Sequence, residues 1–153
     1  SRVEKIGLGG AILNLNFQSR VLMFFGNLTQ SILPFIWIYT FFAYVIMPYR
    51  NHRKSRALFI REAKKLSQNE FKRWYKLTKK ILPLLEKIRL YKVKTPVLYI
   101  MGKEDYMFLP FVKEMVQAHE SSSLITLSDS GHVVNIDQPE QFNNNLLTFL
   151  LKD

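Results

Sequence analysis

The segment that most restricts the fold is Thr95-Pro96-Val97-Leu98-Tyr99-Ile100-Met101-Gly102. Its apolar run has a β-branched and aromatic bias, lacks polar alternation and stops at a glycine, the pattern of a strand covered on both faces. Such a strand needs helices above and below it. Downstream, Phe108, Val112, Met115, Val116 and His119 recur on one helical face, and Pro110 sits where a first turn tolerates it. Ser123-Leu124-Ile125-Thr126-Leu127 reads as another short strand. A last helix is expected from Asp137-Gln138-Pro139-Glu140, with Phe142, Leu146, Phe149 and Leu150 on its inner side. Strand, helix, strand, helix implies a parallel sheet, so the fold class is α/β.

At the other end, Val3-Glu4-Lys5-Ile6-Gly7-Leu8-Gly9-Gly10 alternates in part and closes on paired glycines, which reads as a strand over 3–8 entering a turn. The intervening sequence has a different character. Residues 21–49 hold 29 positions without a charge, nine of them aromatic. About 20 apolar residues cross a bilayer, and Arg50, Arg53, Lys54 and Arg56 would form a cytoplasmic flank to such a span. Asn27, Thr29, Gln30, Ser31 and Pro34 divide the run, however. The preferred reading is a pair of short helices, broken at Pro34 and Pro48, buried against the rest of the protein or around an apolar pocket. A membrane span and an interfacial helix are the alternatives.

The 153 residues sum to +10, distributed as +2 over residues 1–49, +13 over 50–94 and −5 over 95–153. Any argument from charge to partner therefore concerns the middle third alone. There Ser67-Gln68-Asn69-Glu70 fits a capping box, followed by Phe71, Trp74, Thr78, Ile81, Leu82 and Leu85 at helical spacing, with Pro83 bending or ending the helix. Lys72, Arg73, Lys76, Lys79 and Lys80 lie mostly off that stripe, as a solvated face or a surface for phosphate-rich partners or anionic lipid. No RNA or DNA motif accompanies the charge, so nucleic acid is not the expected partner. A composition 48% apolar and 14% aromatic excludes a disordered chain. The absence of cysteine excludes a disulfide framework, Cys-ligated zinc, an iron–sulfur cluster and a thiol nucleophile, and is compatible with a reducing compartment.

Ligands of open parallel sheets bind beyond the carboxyl ends of the strands, so the residues that follow each strand matter most. Asp105 follows strand 97–101, and His132 follows strand 123–127. Neighbouring strand ends lie about 5 Å apart, close enough for a carboxylate to hold one imidazole nitrogen as N–H, the arrangement a histidine base requires. Asp105 also suits a plain turn role, and Glu104 and Asp129 are rival acids. His119 is expected to pack on its helix or cap it, and His52 lies in a basic run; neither has a metal-like partner at i+3 or i+4. Tyr106, Met107 and Phe108 are expected in a pocket wall or the core.

Met101-Gly-Lys-Glu-Asp105, followed 27 residues later by Gly131-His132-x4-Asp137-x-Pro139-x2-Phe142, resembles the C-terminal third of an α/β-hydrolase. The resemblance implies that Asp105 is the acid and His132 the base serving a nucleophile. Arg2 to Gly10 is similar to that family's sixth strand, and residues 11–92 occupy the place of its inserted helical cap. The implied organisation is a partial core over 1–10 and 93–153, with a cap over 11–92, aromatic at 21–49 and basic at 50–92. The G-x-S-x-G elbow that carries the family's nucleophilic serine is absent from these residues; its family position precedes Ser1. Relatives with an aspartate nucleophile stay open.

The expectation is thus a fragment of a hydrolase of ester or related acyl bonds, inactive alone, without a cofactor, acting on an apolar small-molecule acyl substrate. A cytoplasmic protein is expected, with membrane association as the variant. Its strand 3–8 would expose an edge to the missing N-terminal half or to a second copy. The alternative is a non-catalytic membrane-associated or interaction module built on 21–49 and 50–94.

Overall fold

Pleating sends the side chains of one apolar run to two opposite faces, and both are covered here. The computed structural model describes residues 3–29, 32–90 and 94–152. In it β2 (Val97–Gly102) is buried at every position. It lies between β1 (Ile6–Gly9) and β3 (Ser122–Leu127), in the order β1-β2-β3. Both pairings are parallel, with Ile6 beside Val97, Gly9 beside Ile100, and Gly102 beside Leu127. Val97, Tyr99 and Met101 meet Val112 and Met115 of α5 (Leu109–Ala118) on one face. Leu98 and Ile100 meet Val134 of α6 (Val134–Asp137) and Phe142, Leu146 and Phe149 of α7 (Pro139–Leu151) on the other. The fold is α/β.

Ahead of β2 lie α1 (Phe17–Thr29), α2 (Phe35–Ile46), α3 (Arg53–Ala63) and α4 (Gln68–Leu90). The uncharged run supplies most of α1 and all of α2, with Pro34 at the start of α2 and Pro48 just past its end. No described helix is long and apolar enough to cross a membrane. These helices have their own cluster, in which Ile38, Phe71 and Tyr75 gather Phe35, Tyr39 and Phe42. Tyr39 stacks on Phe59 of α3 at 4.6 Å, and the Tyr75 hydroxyl donates to the Met23 carbonyl of α1. Burial pushes both phenols above their usual range. Val45 and Ile46 of α2 pack on the sheet-side core, which joins the two regions.

The capping box is present: Ser67 Oγ accepts the Glu70 N–H at 3.2 Å, and the Glu70 carboxylate accepts the Ser67 N–H at 2.8 Å. The Ser67 N–H, and after it the Ser67 side chain, hold the Glu70 carboxyl below its ordinary range.

Several boundaries differ from the sequence expectation. The first strand covers Ile6–Gly9 rather than 3–8, because its ladder starts where the Ile6 N–H meets the Pro96 carbonyl at 3.0 Å. Pro96 has no N–H with which to extend the pairing. The last strand begins one residue earlier, at Ser122. Helix α4 continues through Pro83 to Leu90, so the proline does not end it. The final helical segment is divided into α6 and α7, with Pro139 opening the latter. Leu150 is 43% exposed rather than internal, because Phe142, Leu146 and Phe149 already fill the seam. Burial of the 21–49 run is one-sided. Ile38 and Ala43 are inside, while Phe24, Phe25, Trp37 and Phe41 stay more than half exposed, as does Trp74 of the α4 stripe. Arg2, Gln30, Ser31 and the side chains of Thr78, Lys79 and Leu82 lie outside the described residues.

On the side of the sheet covered by α7, burial predicts a contrast in stability. Ile100→Ala, at a position with no exposure, is expected to cost about 2–5 kcal/mol in urea denaturation. Leu150→Ala should cost under about 1 kcal/mol.

Candidate active site

The carboxyl ends of β2 and β3 leave the sheet on the same side, and their loops are tied to each other by backbone. Lys103 N–H donates to the Leu127 carbonyl at 2.8 Å, and Glu104 N–H donates to the Ser130 carbonyl at 3.0 Å. Glycine permits the approach. A Cβ on Gly102 would lie 2.2 Å from the carbonyl oxygens of both Ser130 and Gly131. Gly10, which follows β1 with φ +58°, is seated so that a Cβ would lie 2.2 Å from the His132 carbonyl oxygen. Asp129 turns the second loop with φ 52°, a conformation that Asp tolerates better than most residues.

Within this frame Asp105 is 1% exposed. Its Oδ1 accepts the Phe108 N–H at 3.2 Å, and its Oδ2 lies 2.9 Å from His132 Nδ1. The carboxylate is an acceptor, so Nδ1 carries the proton, and exchange with any ligand runs through Nε2. The Asp105 carbonyl also accepts the Leu109 N–H at 3.1 Å, which fixes the turn into α5. Asp105 therefore combines the turn role and the imidazole contact that the sequence left as alternatives. The His132 side chain is 15% exposed, and its ring packs at 4.8 Å from that of Phe108. Behind it, Asp137 Oδ2 accepts the Gly131 N–H at 2.9 Å and braces the histidine loop.

The rival acids are placed elsewhere. Asp129 is exposed, and Glu104 turns away from His132 to a second histidine. His52, although it lies in a basic run, is fully buried. Its Nε2 lies 2.7 Å from Glu104 Oε2, which also accepts the Asn51 amide at 2.7 Å. The ring presses on Gly131, where a Cβ would lie 2.6 Å from its Cε1, and stands edge-on to Tyr49 at 5.4 Å. Two imidazole–carboxylate pairs thus occupy adjoining positions, one on Glu104 and one on Asp105. No local sequence signal marks His52, because its contact with Glu104 joins segments 52 residues apart.

Tyr106 makes another tie to the helices by donating its hydroxyl to the Val45 carbonyl. Burial, then the neighbouring Tyr49 and Asp105, push its phenol up, so it remains a donor. Met107 and Phe108 are buried, as expected of core or pocket wall. His119 is buried at the C-terminal end of α5, and its carbonyl accepts the Ser122 N–H at 3.0 Å. No group of three or more His, Cys, Asp or Glu able to hold a metal occurs among the described residues. A cavity of about 520 Å³ opens among the helices, lined by Leu22, Tyr39, Phe42, Phe71, Met107 and Phe108 among others. Phe108 faces both this cavity and the His132 ring.

The chain is 39% identical over 64 residues to RutD of Rhizobium rhizogenes, which carries the name of a carbamate hydrolase. The match covers 40% of this chain and 24% of that protein. Over 74 residues it is 27% identical to 1-acylglycerol-3-phosphate O-acyltransferase ICT1 of Saccharomyces cerevisiae, covering 46% of this chain and 19% of the relative. The chain thus spans a quarter or less of the curated relatives it matches. No family model and no solved structure matches it. Together with the parallel sheet and its flanking helices, these partial likenesses support an α/β-hydrolase-like fold.

The buried pair at His52 sets an expected mutational pattern. His52→Leu removes the donor to Glu104 and should cost about 1–3 kcal/mol in urea denaturation. His52→Gln, which retains an N–H donor at similar reach, should recover part of that loss.

Proposed function

We propose that this chain carries the acid–base half of an enzyme that transfers acyl groups from ester or related bonds, with His132 as the base and Asp105 as the residue that orients it. The observation that carries this reading is the 2.9 Å contact between a buried carboxylate and a partly exposed imidazole at the ends of neighbouring parallel strands. In the proposed reaction a hydroxyl nucleophile attacks the acyl carbonyl while His132 Nε2 takes its proton. The same nitrogen then returns the proton to the leaving group, and Asp105 stabilises the imidazolium between the two steps. The nucleophile, a serine on a G-x-S-x-G elbow by resemblance, belongs to a segment outside these 153 residues. Water as the second acceptor gives hydrolysis, and an alcohol gives acyl transfer.

Residues 11–92 form the cap in this proposal, and residues 1–10 and 93–153 the partial core. The apolar cavity reaches Phe108 beside His132, which suits a substrate with an apolar acyl chain. The two relatives, one named a hydrolase and the other an acyltransferase, support the same class.

Without a nucleophile the 153-residue chain should show no burst of acylation by a p-nitrophenyl acyl ester. A burst that disappears in His132→Ala would overturn that part of the proposal. In the protein joined to its nucleophile segment, Asp105→Asn should lower kcat about 1,000- to 10,000-fold with KM little changed. The carboxamide turns an N–H toward Nδ1 and selects the wrong tautomer. A kcat within about threefold of the parent would remove Asp105 from the mechanism.

A further inference from the structure

Helix α2 turns a row of aromatic side chains away from the core. Trp37, Phe41 and Tyr44 recur at i, i+4 and i+7 and are 65%, 58% and 55% exposed. Phe24, Phe25 and Leu28 of α1 are exposed to a similar degree. Between the two helices lies an apolar groove of about 430 Å³, lined by Phe25, Leu33, Trp37 and Phe41 among others. Contiguous apolar surface of this kind marks a site of contact.

A second concavity adjoins the row. It measures about 410 Å³ and is lined by Tyr44, Arg53, Arg56, Arg61 and Lys64 among others. Tyr44 belongs to both features, with the Arg56 guanidinium 4.4 Å from its ring centroid. Arg56 is further fixed by donating to the carbonyls of Met47 and Tyr49. The acidic neighbour, Glu62, is solvent-exposed and shared between Arg61 and Lys65, so it offsets little of the positive charge.

We propose that this face docks on the surface of an anionic phospholipid bilayer, with Trp37 and Phe41 at headgroup depth and the Arg53, Arg56, Arg61 and Lys64 cleft on lipid phosphates. The inference is independent of Asp105, His132 and the proposed reaction. The joined chemistry selects the occupant. A nucleic acid would engage the cations and leave the apolar groove in water, whereas a bilayer engages both. A second copy meeting this face symmetrically would bring two cationic clefts together.

The test is sedimentation of the 153-residue chain with phosphatidylcholine vesicles, with and without phosphatidylglycerol, at low and high salt. Binding is expected on the anionic vesicles only, and it should weaken as salt rises. Trp37→Ser with Phe41→Ser, both exposed and so tolerated by the fold, should lower affinity by about tenfold or more at either salt. Arg53→Gln with Lys64→Gln should lower it roughly 25-fold at low salt, about fivefold for each cation, and flatten the salt dependence. Equal binding to neutral vesicles, absence from every pellet, or full binding by both variants with unchanged circular dichroism would overturn the proposal. So would complete competition by inorganic phosphate, the sign of a soluble anion site. A dimer by light scattering that the aromatic pair of substitutions dissolves would assign the face to a second copy instead.

Discussion

Everything at the sheet's carboxyl edge depends on two loops approaching closer than side chains allow. At Gly102 the backbone of the β2 loop lies so near the Ser130 and Gly131 carbonyls that even a methyl group would collide with both. That closeness lets the Glu104 N–H reach the Ser130 carbonyl, and the register so fixed brings Asp105 opposite His132. A looser pairing would leave a buried carboxylate with one donor instead of two, a costly state in a low dielectric. The hydrogen bond is therefore a product of backbone packing as much as of the two side chains that make it.

Much of the α/β part was legible in the chain. A run of apolar residues with no polar alternation fits a strand covered on both sides, and β2 is such a strand. The positions of Asp105 and His132 just beyond strand ends were equally readable, because strand and turn signals are local. His52 was not. Its neighbours Arg50, Arg53 and Lys54 make the segment read as a wet surface, yet a distant glycine and a distant carboxylate draw this one ring inside. Periodicity reports which face of an element is apolar, and it is silent about a single polar side chain that finds a buried partner across the fold.

The uncharged stretch shows the same limit from the other side. Sequence supports two short helices there, divided at a proline, and the structure has them. It makes α2 apolar around nearly its whole circumference and does not specify which side is buried. Ile38 and Ala43 join interior contacts, whereas Trp37, Phe41 and Tyr44 face outward, although all are comparably apolar or aromatic in character. A helix whose one aliphatic hydroxyl is Thr40 carries little mark of which side is inside. Only the surrounding helices decide it, and α3 and α4 do so through Phe59 and Phe71.

Polar ties from the helices converge on the loop that follows β2. Tyr106 reaches back to α2, Glu104 reaches back to the start of α3, and Asp105 stands between them. A tilt of the helical layer pulls on both flanks of that one residue. The contact of the Asp105 carboxylate with the His132 imidazole therefore rests on the packing of the helical layer as well as on the sheet.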